Sequence, residues 1–246
     1  MNKYLATILT PPLFPLLLAQ GYWLRKRTPR LPDAEGPTAG TIPGNGEALQ
    51  LIAVGESTVA GVGARTHQES LTGQVAQLLS KQTGRAVDWF VAARSGITAR
   101  ESLNELIPQL AGRRADVVLI ALGVNDSIEF HTSRRWAADL ERLIAGIRAQ
   151  VGDAPVLLAG VPPLDYFPAL PKPLSSVLGA RSAFLGAASV ELANKLKRVV
   201  HVPFQIDGKR CVDLFCADGF HPSELGYKQW AEQLAAAYAD FMSQAS

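Results

Sequence analysis

Leu49-Gln50-Leu51-Ile52-Ala53-Val54-Gly55-Glu56-Ser57 is a dense aliphatic run that ends in a serine just past a glycine. Aliphatic and β-branched residues at this density predict a buried strand, and Gly55 marks where the chain turns sharply. A serine leaving such a strand stands at the carboxyl edge of a sheet, where open α/β sheets gather ligands and catalytic groups. Ser57 therefore reads as a nucleophile, against the plainer alternative that Ser57 or Thr58 caps a helix.

Downstream of this turn the apolar period alternates between helix and strand. Residues 68–82 place Leu71, Val75, Leu78 and Leu79 on one helical face, and Gly84 ends that helix. Residues 86–92 form a second strand that runs into Ala93-Arg94-Ser95-Gly96. Thr98 and Glu101 then make a capping box for a helix through Leu103, Leu106 and Leu110. Residues 115–122 are the clearest buried strand, stopping at Gly123-Val124-Asn125-Asp126. An amphipathic helix over 133–151 carries Trp136, Leu140, Leu143, Ile144 and Ile147 on one side, and a fourth strand spans 155–161. A helix over 175–199, a short strand over 200–206 and an amphipathic helix over 223–242 follow. Strands alternating with helices predict an α/β protein, a three-layer α/β/α sandwich around a parallel sheet.

The chain has 246 residues, 48% hydrophobic and 19% charged, which suits one globular domain plus some extra sequence. That extra sequence is N-terminal. Residues 4–24 carry no charged side chain, close to the length a helix needs to cross a bilayer, but Pro11, Pro12 and Pro15 would break or kink such a helix. Residues 1–27 thus read as a membrane-anchor, interfacial or signal-like segment, with Lys3 as a thin positive start. The cluster Arg25, Lys26, Arg27 and Arg30 would keep the following domain cytoplasmic if the segment spans; export to the periplasm after signal cleavage is the alternative. Residues 28–47, with four prolines and four glycines, have the composition of a linker, and the folded domain is expected over 48–246.

A net charge of +2 gives no reason to expect a nucleic-acid partner. Cys211 and Cys216 form no disulfide framework and no zinc pattern, and are read as packing residues. His67, His131 and His201 stand apart from any carboxylate or cysteine cluster in the sequence and are read as ordinary surface or core histidines. No metal and no cofactor is expected.

Strand order brings distant turns together. In a five-stranded parallel sheet of flavodoxin-like order 2-1-3-4-5, the switch point lies between strands 1 and 3. Ser57 leaves one, Asn125 leaves the other, and Gly96 borders the crevice from strand 2. A fourth turn, Cys216-Ala217-Asp218-Gly219-Phe220-His221-Pro222-Ser223, sets a carboxylate three residues before a histidine. That spacing lets Asp218 hold the imidazole Nδ1–H and leaves Nε2 free to take a proton from a serine. Taken singly, Asp218-Gly219 is equally a turn, or half of a metal site.

The set Gly55-Glu56-Ser57, Gly96, Gly123-Val124-Asn125-Asp126 and Asp218-Gly219-Phe220-His221 resembles the four blocks of the GDSL/SGNH hydrolase family. The resemblance covers the chain from Ala48 onward. It implies a flavodoxin-like α/β/α fold and metal-free acyl hydrolysis of the esterase or lipase type. It also implies an oxyanion hole made of the backbone N–H groups of Ser57 and Gly96 and the side-chain amide of Asn125. Glu56 departs from the family's usual Asp, which touches turn geometry and not the nucleophile. Val59 stands where a Gly-x-Ser-x-Gly elbow would need glycine, which argues against the α/β-hydrolase fold.

Ser57, His221 and Asp218 then read as nucleophile, general base and orienting carboxylate, with Asp126 as a support for the Asn125 turn. Residues 161–173 hold five prolines, and Leu164, Tyr166, Phe167 and Leu170 among them are expected to wall an acyl pocket. The substrate would be a small-molecule or lipid ester, with thioesters and carbohydrate acetyl esters as variants. A catalytically lapsed binding module and a flavin- or nucleotide-binding protein are the rival readings, but neither a Gly-x-Gly-x-x-Gly nor a Walker-type loop follows strand 1.

Overall fold

Alternation along the strand Asn45–Gly55 (β2) sets the layering: Leu49, Leu51 and Ala53 enter one hydrophobic cluster, and Ile52 and Val54 another on the opposite face. The computed structural model describes residues 3–205 and 212–245. Around β2 lie β3 (Arg85–Ala93), β4 (Val117–Ala121), β5 (Val156–Ala159) and β6 (Val199–Val202), all parallel, in the order β3-β2-β4-β5-β6. This is the expected 2-1-3-4-5 order. Helices α2 (Leu71–Thr83) and α7 (Glu224–Ala245) cover one face, where Val75, Leu79, Tyr227 and Trp230 pack on Leu119. On the other face α3 (Ala99–Glu105), α5 (Ser133–Val151) and α6 (Leu174–Lys195) pack on Val118 and Ile120 through residues such as Trp136, Leu140 and Leu185. Ile120 is fully buried, and truncating such a side chain to alanine costs about 2–5 kcal/mol.

Local signals act where the sequence places them. Thr98 accepts from the Glu101 N–H while the Glu101 carboxylate accepts from the Thr98 N–H, closing the capping box at the start of α3. Gly84, at φ +71°, ends α2 in the left-handed conformation.

Four features differ from expectation. The stretch 28–47 is tied to the body: β1 (Ala39–Ile42) pairs antiparallel with β3 at the sheet edge, and the Ala34 and Glu35 N–H groups donate to Ala60 and Arg65 carbonyls. Helix α1 (Lys3–Arg27) continues through Pro11, Pro12 and Pro15, and no helix among the described residues is long and apolar enough to cross a membrane. Its C-terminal half docks on α6, with Leu13, Leu17 and Leu24 in a third cluster beside Leu170 and Leu174, and Gln20 bonding Lys172 O and the Leu174 N–H. That packing supports a helix that local propensity disfavours. Finally, Val124–Ile128 forms a short helix, α4, directly after β4. The last strand is shorter than expected, and residue 206 and Cys211 lie outside the described residues. Cys216 is a free thiol whose Sγ donates to Pro222 O at 3.1 Å.

Candidate active site

Ser57 lies two residues past the end of β2 and points its hydroxyl at His221 in the turn before the last helix. Ser57 Oγ lies 3.1 Å from His221 Nε2, and His221 Nδ1 lies 2.6 Å from Asp218 Oδ2. A carboxylate only accepts, so Nδ1 carries the imidazole proton and Nε2 is left to accept from the serine. The Asp218 turn builds this alignment with its other oxygen: Oδ1 accepts from the backbone N–H groups of Phe220 and His221 at 2.9 and 3.0 Å. Burial works to raise the Asp218 pKa, but the bonds from His221 and the two N–H groups outweigh it and hold the carboxyl below its ordinary range. Gly219 sits at φ +62° in this turn, and a Cβ there would approach the Ala169 backbone nitrogen to 2.9 Å.

The other expected residues lie around the same serine. Gly96 adopts φ +81°, and the place of its missing Cβ is open space in the crevice. Among the described residues, the N–H groups of Ser57 and Gly96 donate to no protein acceptor. Asn125 lies at the start of α4, and its side-chain amide is engaged: Nδ2 donates to the Glu56 carboxylate and to Ile97 O at 3.2 Å.

Sequence reasoning missed the work of Glu56. Its carboxylate is almost wholly buried and accepts from the N–H groups of Val124 and Asn125 at 3.0 and 3.1 Å, besides the Asn125 amide. Burial pushes its pKa up to about 8 against the lowering effect of those bonds. The one available signal was its place beside Ser57, where a carboxylate among aliphatics needs partners.

Asp126 and His131 form a second carboxylate–imidazole pair. Asp126 Oδ1 meets His131 Nδ1 at 2.8 Å, both side chains buried, and Asp126 Oδ2 accepts from the Ala99 N–H. His131 is thus not an isolated histidine, as Glu129 also lies 3.2 Å from its Nε2. Burial raises the Asp126 pKa, opposed by the His131 bond. His67 and His201 have no comparable carboxylate partner among the described residues, and burial lowers both their pKa values.

Two crevices meet at Ser57, Val124, Phe220 and His221. The narrow one, with a cavity volume of about 30 Å³, is lined mainly by Phe167, Phe204, Leu214, Phe215 and Trp230. The wide one, about 470 Å³, runs past Gly96 and Asn125 under Arg25, Pro29, Arg30 and Leu31. Of the four residues expected to wall an acyl pocket, only Phe167 lines either crevice. Leu164 and Leu170 point into the third cluster beneath α1, and Tyr166 opens onto a separate depression with Asp165 and Gly179. A single 3₁₀ turn over Leu164–Tyr166 sends neighbouring side chains in different directions, so proximity in sequence did not become a shared wall. No group of histidine, cysteine and carboxylate side chains among the described residues is arranged to hold a metal.

A parallel α/β/α sheet with a serine, imidazole and carboxylate in hydrogen-bonded sequence at its carboxyl edge defines a class, the serine hydrolase scaffold. Residues 53–229 match the GDSL-like lipase/acylhydrolase family, and the chain belongs to it. It is similar to the GDSL-like esterase Rv1075c of Mycobacterium tuberculosis, 25% identical over 204 residues, which is 80% of this chain and 63% of that protein's length. The fold resembles the crystal structure of TesA, with TM-score 0.58, 25% identity and coverage of 76% of this chain and 97% of that one. It also resembles a family 3 carbohydrate esterase of Clostridium thermocellum, with TM-score 0.59, 23% identity and coverage of 80% and 98%.

Proposed function

We propose that this protein hydrolyses carboxylic esters through an acyl-enzyme on Ser57, and the observation that carries the reading is the unbroken chain Ser57 Oγ, His221, Asp218. His221 Nε2 takes the hydroxyl proton as Oγ attacks the carbonyl carbon, then delivers it to the departing alcohol oxygen; water repeats the cycle to release the acid. Asp218 stays ionised and stabilises the imidazolium formed at each step. The carbonyl oxygen, turning negative, is received by the free N–H groups of Ser57 and Gly96. Asn125 joins them by giving up its weaker bond to Ile97 O while Glu56 holds the other amide hydrogen. The relation to an esterase of known sequence supports the same chemistry. A lapsed binding module would not need so complete a proton path.

The narrow apolar crevice takes the acyl group. On this measure one water needs about 10–15 Å³, so a volume of about 30 Å³ suits an acetyl-sized chain better than a long one. Hydrolysis of p-nitrophenyl acetate, butyrate, octanoate and palmitate by the full chain tests the reading, with EDTA present and beside Ser57→Ala. Activity that survives EDTA, falls with chain length and disappears in the variant is the expected result. Equal rates in Ser57→Ala would sink it.

A second reading concerns location. One face of α1 packs on the body while Phe14, Leu18, Tyr22 and Trp23 are exposed beside Arg25, Lys26 and Arg27. Aromatic and aliphatic side chains flanked by cations suit a helix lying in an anionic lipid surface. Cosedimentation of the full chain with phosphatidylglycerol vesicles, lost in Leu18→Ser/Trp23→Ser, would support this; equal pelleting with and without vesicles would refute it.

A further inference from the structure

The wide crevice has a charge that hydrolysis of a simple ester does not require. Of the four cations that follow the apolar stretch of α1, two are occupied: Lys26 Nζ sits 4.6 Å over the Tyr22 ring and the Arg27 guanidinium 4.8 Å over Trp23. The other two, Arg25 and Arg30, line the crevice that ends at Ser57, Gly96 and Asn125. Neither forms an ion pair among the described residues. The remaining charged group in that lining is Asp218, which is already satisfied by His221 and two backbone N–H groups. Of the nearby carboxylates, Glu105 and Glu101 face Arg94 at 2.6 and 3.5 Å, while Asp33, at the rim, accepts from Ser95 Oγ at 2.5 Å and keeps its charge, so the two arginines must outweigh it. The opposite crevice is mostly apolar, with Gln205, Gln229 and Gln233 in its wall but no cation besides His221, and is too small for a charged, hydrated group.

We infer that the ester this site is built for carries an anionic group on its alcohol arm, which lies in the wide crevice between Arg25 and Arg30 while a small acyl group fills the narrow one. The inference rests on the esterase reading above and adds the substrate class. Two guanidiniums opposite a hydrated anion at a solvent-open site supply charge-assisted hydrogen bonds and steering, both weakened by salt. Carboxylate, sulfate and phosphate share this chemistry. The arginines act before and during attack by placing the carbonyl over Ser57, and take no part in proton transfer.

The test compares kcat/KM for 4-acetoxybenzoate and for its methyl ester, which differ in one charge on the alcohol arm, in the full chain, in R25Q/R30Q and in R25K/R30K. The ratio of the two rates within each enzyme cancels any change common to both substrates. A pair of exposed charge contacts is worth about tenfold in this ratio. The expected result is a drop of about that size in R25Q/R30Q, substantial retention in R25K/R30K, and a fall in the native enzyme's ratio as NaCl rises to about 0.5 M. A second pair, p-nitrophenyl hemisuccinate and p-nitrophenyl methyl succinate, puts the charge on the acyl arm; the ratio there should not depend on the arginines. A ratio for the acetoxybenzoate pair that is equal in all three enzymes overturns the inference while leaving the esterase intact. A shift seen only with the succinates also overturns it, because the anion would then belong to the acyl arm. Hydrolysis of none of the four esters overturns the esterase reading and this inference together.

Discussion

The Glu56 carboxylate holds Asn125 twice, by its backbone N–H at 3.1 Å and by its side-chain amide. The residue beside the nucleophile thereby fixes the residue proposed to steady the oxyanion, across two parallel strands. Glu56→Ala takes the acceptor from the buried Val124 N–H, at a cost of about 1–3 kcal/mol, and from two half-buried donors of Asn125. Turnover should fall roughly a hundredfold as Asn125 loses its placement, with little change in KM. Stopped-time kinetics on a soluble acetate ester, beside a thermal melt, would separate the two effects.

The same carboxyl makes a pH prediction with a definite sign. Its folded pKa, about 8, lies above the ordinary 4.5, so the folded state holds the proton more tightly. The stabilisation is fully present below pH 4.5 and is lost as pH rises toward 8. In urea titrations the native protein should therefore lose stability relative to Glu56→Gln across that window. A parallel pair of curves would contradict the burial argument.

Asp218→Asn tests the orienting carboxylate. The amide oxygen can still accept from the Phe220 and His221 N–H groups, so the turn survives, but the amide NH₂ faces Nδ1 and forces the other tautomer. By analogy with other serine triads, kcat should fall about 10⁴-fold. Because the folded pKa of Asp218 lies below 3.8, its stabilising share persists above that pH and is lost only as the pH drops through the lower value.

His131→Ala removes the partner of a buried carboxylate that also anchors the Ala99 N–H. Leaving that buried carboxyl without its hydrogen-bond partner costs about 1–3 kcal/mol or more. The melt should move down strongly, with activity at low temperature affected less than in Glu56→Ala, since His131 does not touch Ser57, Gly96 or Asn125.

Phe167→Ala and Tyr166→Ala separate the two neighbours of the proline-rich loop. Phe167 stacks edge-on against Phe215 and Phe220, at centroid distances of 5.0 and 5.1 Å, and closes the narrow crevice. Its truncation should shift preference from acetate toward butyrate and longer esters, whereas Tyr166→Ala should leave the chain-length profile in place. A common profile for both variants would mean that the narrow crevice does not select the acyl group.

Much of this was readable because the signals were local and redundant. The run from Leu49 to Val54, the Thr98–Glu101 box and the Asp218–His221 spacing each sit within a few residues, and strand order carried Ser57 and Asn125 to one edge. The rest depends on partners remote in sequence. Nothing near Pro11, Pro12 and Pro15 announces that α6 will hold their helix together. The prolines and glycines of residues 28–47 read as slack chain because β1 gains its hydrogen bonds from β3, far downstream. His131 looks solitary in the sequence because Asp126, five residues away, reads as part of a turn, whereas α4 holds Asp126 and the chain just past the helix brings His131 back onto it.

The docking of α1 has a thermal consequence. Arg25 belongs to a helix that rests on the small third cluster with Leu17, not on the two clusters that sandwich the sheet, whereas Arg30 lies in the stretch held to the sheet through β1. Small satellite clusters open at lower free energy than the main core. Discrimination between esters should therefore soften on warming before hydrolysis itself fails, so that a heated preparation becomes a less choosy catalyst before it becomes an inactive one.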